Sequence, residues 1–391
     1  MDFSLSDEQL LISNAAREFA KREIAPEIKQ RDTENKSDSR LLKKMGENGF
    51  LGISVPKKYG GQGLDYISLG LVCLEFEKVD TSARVVLSVH NGLCSSGILQ
   101  WGTEDQKKKY LIPLAKGEKI GGFALTEPDA GSDVTGIKTR AVKKNKEYIL
   151  NGEKTWISLA DIADVFLVFA YTDTEKISAF IVERNFPGIS SSPIHGKLGV
   201  RAGDTGSISF QDVKVPEENL IWKEGEGLKV ALSAIDNGRY TVAAGAVGII
   251  EACLEASIKY AHERQTFGKE IGKHQLVQQM IAKMQASKDI GRLLMYQAGD
   301  LKNKGKRNTR ETSLAKWINC NNAFEAANDA LQIHGAYGYS NEFDAERYFR
   351  NSRGALIYEG TREIHTIIQA EYALGYREDK KLECEIPCWT E

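Results

Sequence analysis

Strand-like patterning in this chain of 391 residues is confined to its middle. From residue 121 to about 222, short apolar runs alternate with Gly, Pro and Asn breaks, whereas on either side the apolar spacing is helical. Segment 164–171, DVFLVFAY, has the composition of a buried strand, and 177–182 and 207–215 alternate like half-buried strands. No helix-length spacer separates them, so βαβ units are not expected and an antiparallel barrel or sandwich is. Upstream, Ser6 and Gln9 make a capping-box pattern, and Leu11, Ala15 and Phe19 share an apolar face. Downstream, Val247, Ile250, Leu254, Ile258 and Ala261 recur at three and four, and three more helical stretches follow around 280–298, 314–334 and 363–374. The expected class is mainly α with a central β domain. Its parts are an N-terminal helical domain at 1–120, a β middle domain at 121–225 and a C-terminal four-helix bundle at 226–391. Trp389 is expected to pin the tail.

Bulk properties exclude several function classes. A net charge of −2 gives no reason to expect nucleic acid or an anionic membrane as partner. No apolar run of spanning length is expected, hence no membrane insertion. The start, MDFSLSDEQLL, is acidic before its apolar residues, which is not the pattern of a signal or transit peptide, so a cytoplasmic location is expected. Six cysteines lie scattered at 73, 94, 253, 320, 384 and 388 without a zinc spacing, so no metal is expected and free thiols are.

Four short motifs stand out. Segment 121–133, GGFALTEPDAGSD, reads as a strand running into a polar turn, with one backbone angle fixed by Pro128 and freedom at Gly131. Such a turn can cradle a phosphate or an aromatic cofactor edge, or be an ordinary hairpin corner. Segment 151–158 is NGEKTWIS, 264–268 is RQTFG and 358–361 is YEGT. Together, in this order and spacing, they resemble the acyl-CoA dehydrogenases, whose patterns are TEPxAGSD, NGxKxWI(T/S), RxxFG and YEGT. The resemblance covers nearly the whole chain.

The resemblance implies an FAD enzyme acting on an acyl-CoA thioester. It implies a flavin between the β domain and the C-terminal bundle, with part of the site supplied by a neighbouring subunit of a homotetramer. An electron-transfer flavoprotein is the implied electron acceptor. The implied reaction takes a proton from the α-carbon and a hydride from the β-carbon, and the catalytic base would be Glu359. On its own, Glu359 reads as a surface residue before a helix capped by Thr361, and the resemblance is what makes it the base. A base for so weak an acid belongs in a water-poor pocket that raises its pKa. In the family, the backbone N–H of the base and a flavin ribityl hydroxyl hold the thioester oxygen. Some members carry the base on the early bundle helix, where this chain has Gly238.

Motif by motif, the resemblance places Phe123, Leu125 and Thr126 against the isoalloxazine, with Gly131 in the turn and Ser132 at a phosphate. Trp156 would lie against the ring and Ser158 near its N5. Arg264, Thr266, Phe267, Gln275, Gln332, Gly335 and Ala336 would meet the neighbouring subunit's flavin, although the family often has Gly at 336. Thr361 and Glu363 would close the adenosine end. Ser132, Asp236, Arg239, Tyr358 and Gly360 match substrate-side positions.

Arg84 points to the acyl group. Fatty acyl-CoA members usually have a small residue there, whereas glutaryl-CoA dehydrogenases have Arg to grip a distal carboxylate. A planar guanidinium suits a carboxylate, and an unpaired buried one would be costly. Either the substrate is an anion or Arg84 pairs with Glu77 or Asp80. Glutaryl-CoA is the first expectation, with a substituted succinyl-CoA such as benzylsuccinyl-CoA or a short or branched monocarboxylic acyl-CoA as alternatives. Val85 replaces a Ser common after this Arg in members that also decarboxylate. A flavin-free scaffold on the same fold is the non-enzyme alternative.

Overall fold

The computed structural model describes residues 4–173, 176–380 and 383–384; Trp389 and Cys388 lie outside them. The helix Asp7–Phe19 begins in a complete capping box between Ser6 and Gln9 and buries Ser13, Ala16 and Phe19. Phe19 stacks on Phe76 at 5.5 Å. Phe76 belongs to the helix Tyr66–Glu77, capped by Asp65 and buried on almost every side, as its apolar sequence requires. After Val79 the chain turns, and Asp80 caps the helix Thr81–Leu87, which carries Arg84. That helix continues into a buried π-helical stretch, Ser88–Ser95.

Eight strands form one sheet: β1 Gly121–Ala124, β2 Arg140–Lys144, β3 Glu147–Ser158, β4 Val165–Asp173, β5 Lys176–Glu183, β6 Ile189–Pro193, β7 Thr205–Pro216 and β8 Leu220–Ile221. The hydrogen-bonded order is β6-β7-β3-β2-β4-β5-β8, with β1 added against β4. The two ends of that path do not pair, so the sheet is open. It is also mixed: β1 runs parallel to β4 from Gly121↔Val165 onward, and β2 meets β4 in parallel at Arg140↔Tyr171. The expected central β domain between helical regions is present, but as an open mixed sheet rather than an antiparallel barrel or sandwich. A parallel pair needs a long crossover, and here the β2–β3 hairpin takes the place a helix usually fills. Because β1 and β2 lie in succession along β4, the loop between them, 125–139, is carried at the sheet's margin.

Among the described residues, the C-terminal region has five α-helices rather than four: Gly227–Glu263, Gln275–Asn303, Thr309–His334, Ala345–Ala355 and Arg362–Ala373. Ala345–Ala355 is the one without a sequence signal, because its buried side chains include Arg347, Asn351 and Ser352. The helix Tyr66–Glu77 packs against Gly227–Glu263, where Tyr240 donates its hydroxyl hydrogen to the Tyr66 carbonyl at 2.8 Å. Contrary to expectation, Gly227–Glu263 is long and apolar enough to cross a membrane, but its most apolar window is 83% buried in the protein. Thr309–His334, Gln275–Asn303 and Ala345–Ala355 pack against it, while Arg362–Ala373 packs on Thr309–His334.

Candidate active site

The chain between the helices Ala345–Ala355 and Arg362–Ala373 holds Tyr358, Glu359 and Gly360. Thr361 is the N-cap of the second helix, its hydroxyl accepting from the Ile364 N–H at 3.3 Å. Just before this cap the backbone is left-handed twice, at Glu359 (φ 57°) and Gly360 (φ 90°). Non-glycine residues rarely stay there unless their surroundings enforce it.

Three buried groups meet this turn. Arg239 donates from Nε to the Glu359 carbonyl at 3.2 Å and from Nη1 to Asp236 at 3.0 Å. Lys316, 1% exposed, donates to the Gly360 carbonyl at 2.7 Å. His365 accepts from or donates to Ser313 through Nδ1 at 2.9 Å, and its Nε2 lies against Gly360. The carboxyl group of Glu359 points at the helix Gly227–Glu263, next to Gly238 and Leu93. The residue as a whole is partly exposed, but burial pushes its carboxyl up to about 7, against the pull of Arg239, Lys316 and Arg84. The result is a carboxylate of near-neutral basicity, the property a proton-abstracting group needs.

Beside it lies a buried polar network. Arg84, 1% exposed, pairs through Nε with Glu77. Its Nη1 donates to Ser88 at 3.0 Å and its Nη2 to the Tyr358 hydroxyl at 2.6 Å. Gly245, lacking a side chain, leaves room for the Arg84–Glu77 pair. Burial raises the pKa of Glu77 and of Tyr358, with the Arg84 charge opposing in both. Of the two alternatives open in the sequence, pairing with Glu77 is the arrangement present; Asp80 instead caps its own helix through the Ser82 N–H.

The first two motifs are brought together. Thr155 N–H donates to the Thr126 carbonyl at 2.9 Å. Lys154, fully buried, donates to the Leu125 carbonyl at 3.0 Å and to Glu127 at 2.8 Å. Glu127 also accepts from the N–H groups of Lys138 and Thr139, so this acid and its lysine fasten both ends of the 125–139 loop. Phe123 leans on Phe169 at 5.0 Å, while Gly131 and Ser132 stand exposed in the turn. Trp156 is 60% exposed with φ 57°, so it is not the core aromatic its type suggests; Ser158, two residues on, is half-buried at the end of β3.

The other expected flavin contacts lie on the C-terminal region. Phe267 is 94% exposed at φ 49°, on a tight two-stranded turn with Arg264, also exposed, at its start. Thr266 bonds His274 at 3.0 Å, and Gln275 opens the next helix, exposed. Gln332, Gly335 and Ala336 are exposed where the helix Thr309–His334 ends. Glu363 is exposed and paired with Arg362. A side chain built at Gly131, Gly268 or Gly335 would meet nothing within 4 Å. Open glycine backbone beside exposed aromatics fits a large planar cofactor with a phosphate arm. Single-sequence reading missed Lys316, His365, Lys154, Glu127 and Ser88. The first two lie in helical stretches with no motif, and each acts through a contact distant in sequence.

The chain is similar to known proteins over almost its whole length. Family models for the acyl-CoA dehydrogenase N-terminal, middle and C-terminal domains match residues 6–118, 122–213 and 225–374. The chain is 41% identical to a short-chain specific acyl-CoA dehydrogenase of Clostridium acetobutylicum, covering 94% of this chain and 98% of that one. It is 40% identical to a glutaryl-CoA dehydrogenase of Desulfococcus multivorans, covering 96% and 99%. A chain of a solved structure described as the electron transferring flavoprotein of Acidaminococcus fermentans superposes with a TM-score of 0.94 at 44% identity, covering 96% of this chain and all of that one. With three domain models matched in order and relatives at this identity over almost their full length, the chain belongs to the acyl-CoA dehydrogenase family, and it is an FAD-dependent oxidoreductase.

Proposed function

We propose that this enzyme oxidises the α,β-bond of a CoA thioester whose acyl chain ends in a carboxylate, glutaryl-CoA first, with Glu359 as the base. The observation that carries the base is its carboxyl group, held beside Gly238 with a pKa pushed up to about 7. Glu359 takes the pro-acidic α-proton onto its carboxylate. Its backbone N–H is offered to the thioester oxygen and stabilises charge as it builds there. Asp236 and Arg239 support the CoA side, and Tyr358 with Gly360 frames the acyl carbons. Bound FAD supplies the hydride acceptor for the β-carbon. Phe123, Leu125, Thr126, Trp156 and Ser158 would hold its ring, with Gly131 and Ser132 near a phosphate. Arg264, Thr266, Phe267, Gln275, Gln332, Gly335, Ala336, Thr361 and Glu363 would hold the rest across a subunit boundary of a homotetramer. An electron-transfer flavoprotein is the proposed acceptor.

The distal carboxylate is proposed from Arg84. A guanidinium carries five N–H groups, and Glu77, Ser88 and Tyr358 take three. Two remain for a carboxylate at the end of the acyl chain. A second reading follows from the same network. With its charge already balanced by Glu77, Arg84 serves as a polar floor to a pocket for short monocarboxylic chains. Anaerobic flavin bleaching by glutaryl-CoA, butyryl-CoA and octanoyl-CoA separates them. Faster reduction by either monocarboxylic ester removes the dicarboxylate assignment and leaves the base chemistry standing.

A further inference from the structure

The turn at Glu359 and Gly360 exposes two consecutive carbonyls to the protein interior, and three nitrogen-bearing side chains from three helices converge on them. Arg239 comes from Gly227–Glu263, Lys316 from Thr309–His334 and His365 from Arg362–Ala373. Arg239 has Asp236 as a counter-charge. Lys316 has no ion pair within salt-bridge distance among the described residues: its one hydrogen-bond partner is the Gly360 carbonyl, and the charge it feels across the turn is the Glu359 carboxylate. A buried ammonium held by one carbonyl hydrogen bond, with its counter-charge on the same turn, is a costly choice where Met or Leu would fill the space. His365 is likewise fully buried, and its Nε2 faces the backbone of Glu359 and Gly360.

We propose that Lys316 and His365 are positioning residues for Glu359, holding the left-handed turn that aims its carboxylate at the substrate's α-carbon. The proposal rests on Glu359 being the base. Lys316 anchors the Gly360 carbonyl, and its charge stands behind the turn. His365, tied to Ser313 on its far side, presents a rigid ring to the same backbone and keeps Gly360 from collapsing inward. Burial, with the charges of Lys316 and Arg239, pushes His365 down to about 2, so it acts as a neutral ring throughout the working pH range. Burial also lowers the pKa of Lys316. The groups facing the Glu359 carboxyl are Arg239 and Asp236 from one helix, Lys316 from a second and Arg84 from a third. Three of these four are cations that favour its ionised form.

The test uses the FAD-loaded enzyme and follows flavin reduction by a saturating acyl-CoA across pH, together with flavin content and melting temperature. Lys316→Met should slow reduction about 10- to 100-fold through displacement of the base, and should move the acid limb of the pH profile upward because a cation near Glu359 is gone. Flavin content and melting temperature should hold, and Lys316→Arg should bring the limb back toward wild type. His365→Asn should slow reduction at unchanged KM and leave the limb in place; it carries the test if Lys316→Met does not fold. Wild-type rate and limb in Lys316→Met, or in the second case wild-type rate in His365→Asn, overturns the proposal. Glu359→Gln keeps the two assignments apart. If it still reduces flavin at wild-type speed the base itself is misassigned, whereas indifference at 316 and 365 with a dead Glu359→Gln sinks only the positioning role.

Discussion

The carboxylate of Glu359 occupies the space into which any side chain at Gly238 would project: a Cβ built on Gly238 lies 2.6 Å from Oε1. These two residues sit on a loop and on the long Gly227–Glu263 helix, yet they share one slot. The fold therefore admits a single acid at this point, reached either from the loop or from the helix. That physical exclusion accounts for glycine at 238 in a chain whose base is on the loop.

Gly238→Ala should accordingly cut flavin reduction by at least about tenfold, because the added methyl group displaces a carboxylate that must sit within hydrogen-bonding reach of the α-proton. Helix propensity favours Ala over Gly by about 1 kcal/mol, which offsets part of the strain against Leu93. Melting temperature should change little while the rate falls. Stopped-flow reduction beside a thermal melt decides it: an unaffected rate would mean the carboxylate does not work from this position.

Glu359 also sets a pH dependence. Its carboxyl is raised to about 7 by burial, so the rate should rise with pH and level off above about 7. For stability the sign is opposite. A raised acid contributes stability that is fully present below its unfolded pKa and is lost as pH rises through 7. Glu359→Gln cannot ionise, so above pH 7 it should be more stable than wild type by at most on the order of 3 kcal/mol, with the gap closing in acid. Denaturant melts at the two pH extremes measure this. A stability gap of the same size in acid would detach it from ionisation of this group.

The motifs were legible because each combines residues with special backbone demands. Pro128 and Gly131 mark a turn, Gly360 marks a left-handed site, and Thr361 marks a helix start that the structure contains. Their supports were not legible. Lys316 sits in a helical stretch where a lysine is ordinarily on the surface, and only a contact with a carbonyl 44 residues away explains its burial. Lys154 and Glu127 fall within two motifs, but their pairing depends on how β3 passes the 125–139 loop. Parallel pairing of β1 with β4 escaped for a similar reason, since alternation along a strand carries no information about its neighbour's direction. Trp156 and Phe267 were ambiguous for want of burial information, and their exposure resolves that ambiguity away from the core.

Phe267→Ala and Trp156→Ala should separate cofactor retention from folding. Phe267 is 94% and Trp156 60% exposed, so truncation removes few internal contacts and should leave the stability of the FAD-free chain within about 0.5 kcal/mol for Phe267. Flavin retention should fall in both. The rise in melting temperature on adding FAD should shrink in step, since a ligand at concentration c that binds only the folded state stabilises by RT ln(1 + c/Kd), which falls as Kd rises. Flavin-to-protein absorbance after gel filtration, with melts in and out of FAD, gives both quantities. Full flavin content in both variants would remove these aromatics from the cofactor site.

Arg84 and Glu77 allow structure and specificity to be read apart. Arg84→Met leaves a buried Glu77 without its partner and should cost about 3–5 kcal/mol, as unpaired buried charges do. Glu77→Leu combined with Arg84→Met removes both charges from the space that Gly245 keeps open, and should recover most of that loss. The Tyr358 hydroxyl loses its Arg84 partner in either case, so recovery should stop short of wild type. In the stable double variant, flavin reduction by butyryl-CoA should persist while reduction by glutaryl-CoA falls by at least tenfold, because the guanidinium that would meet the distal carboxylate is absent. Equal losses on both esters would assign the pair to holding the pocket, and with it Tyr358 beside the base, rather than to choosing the substrate.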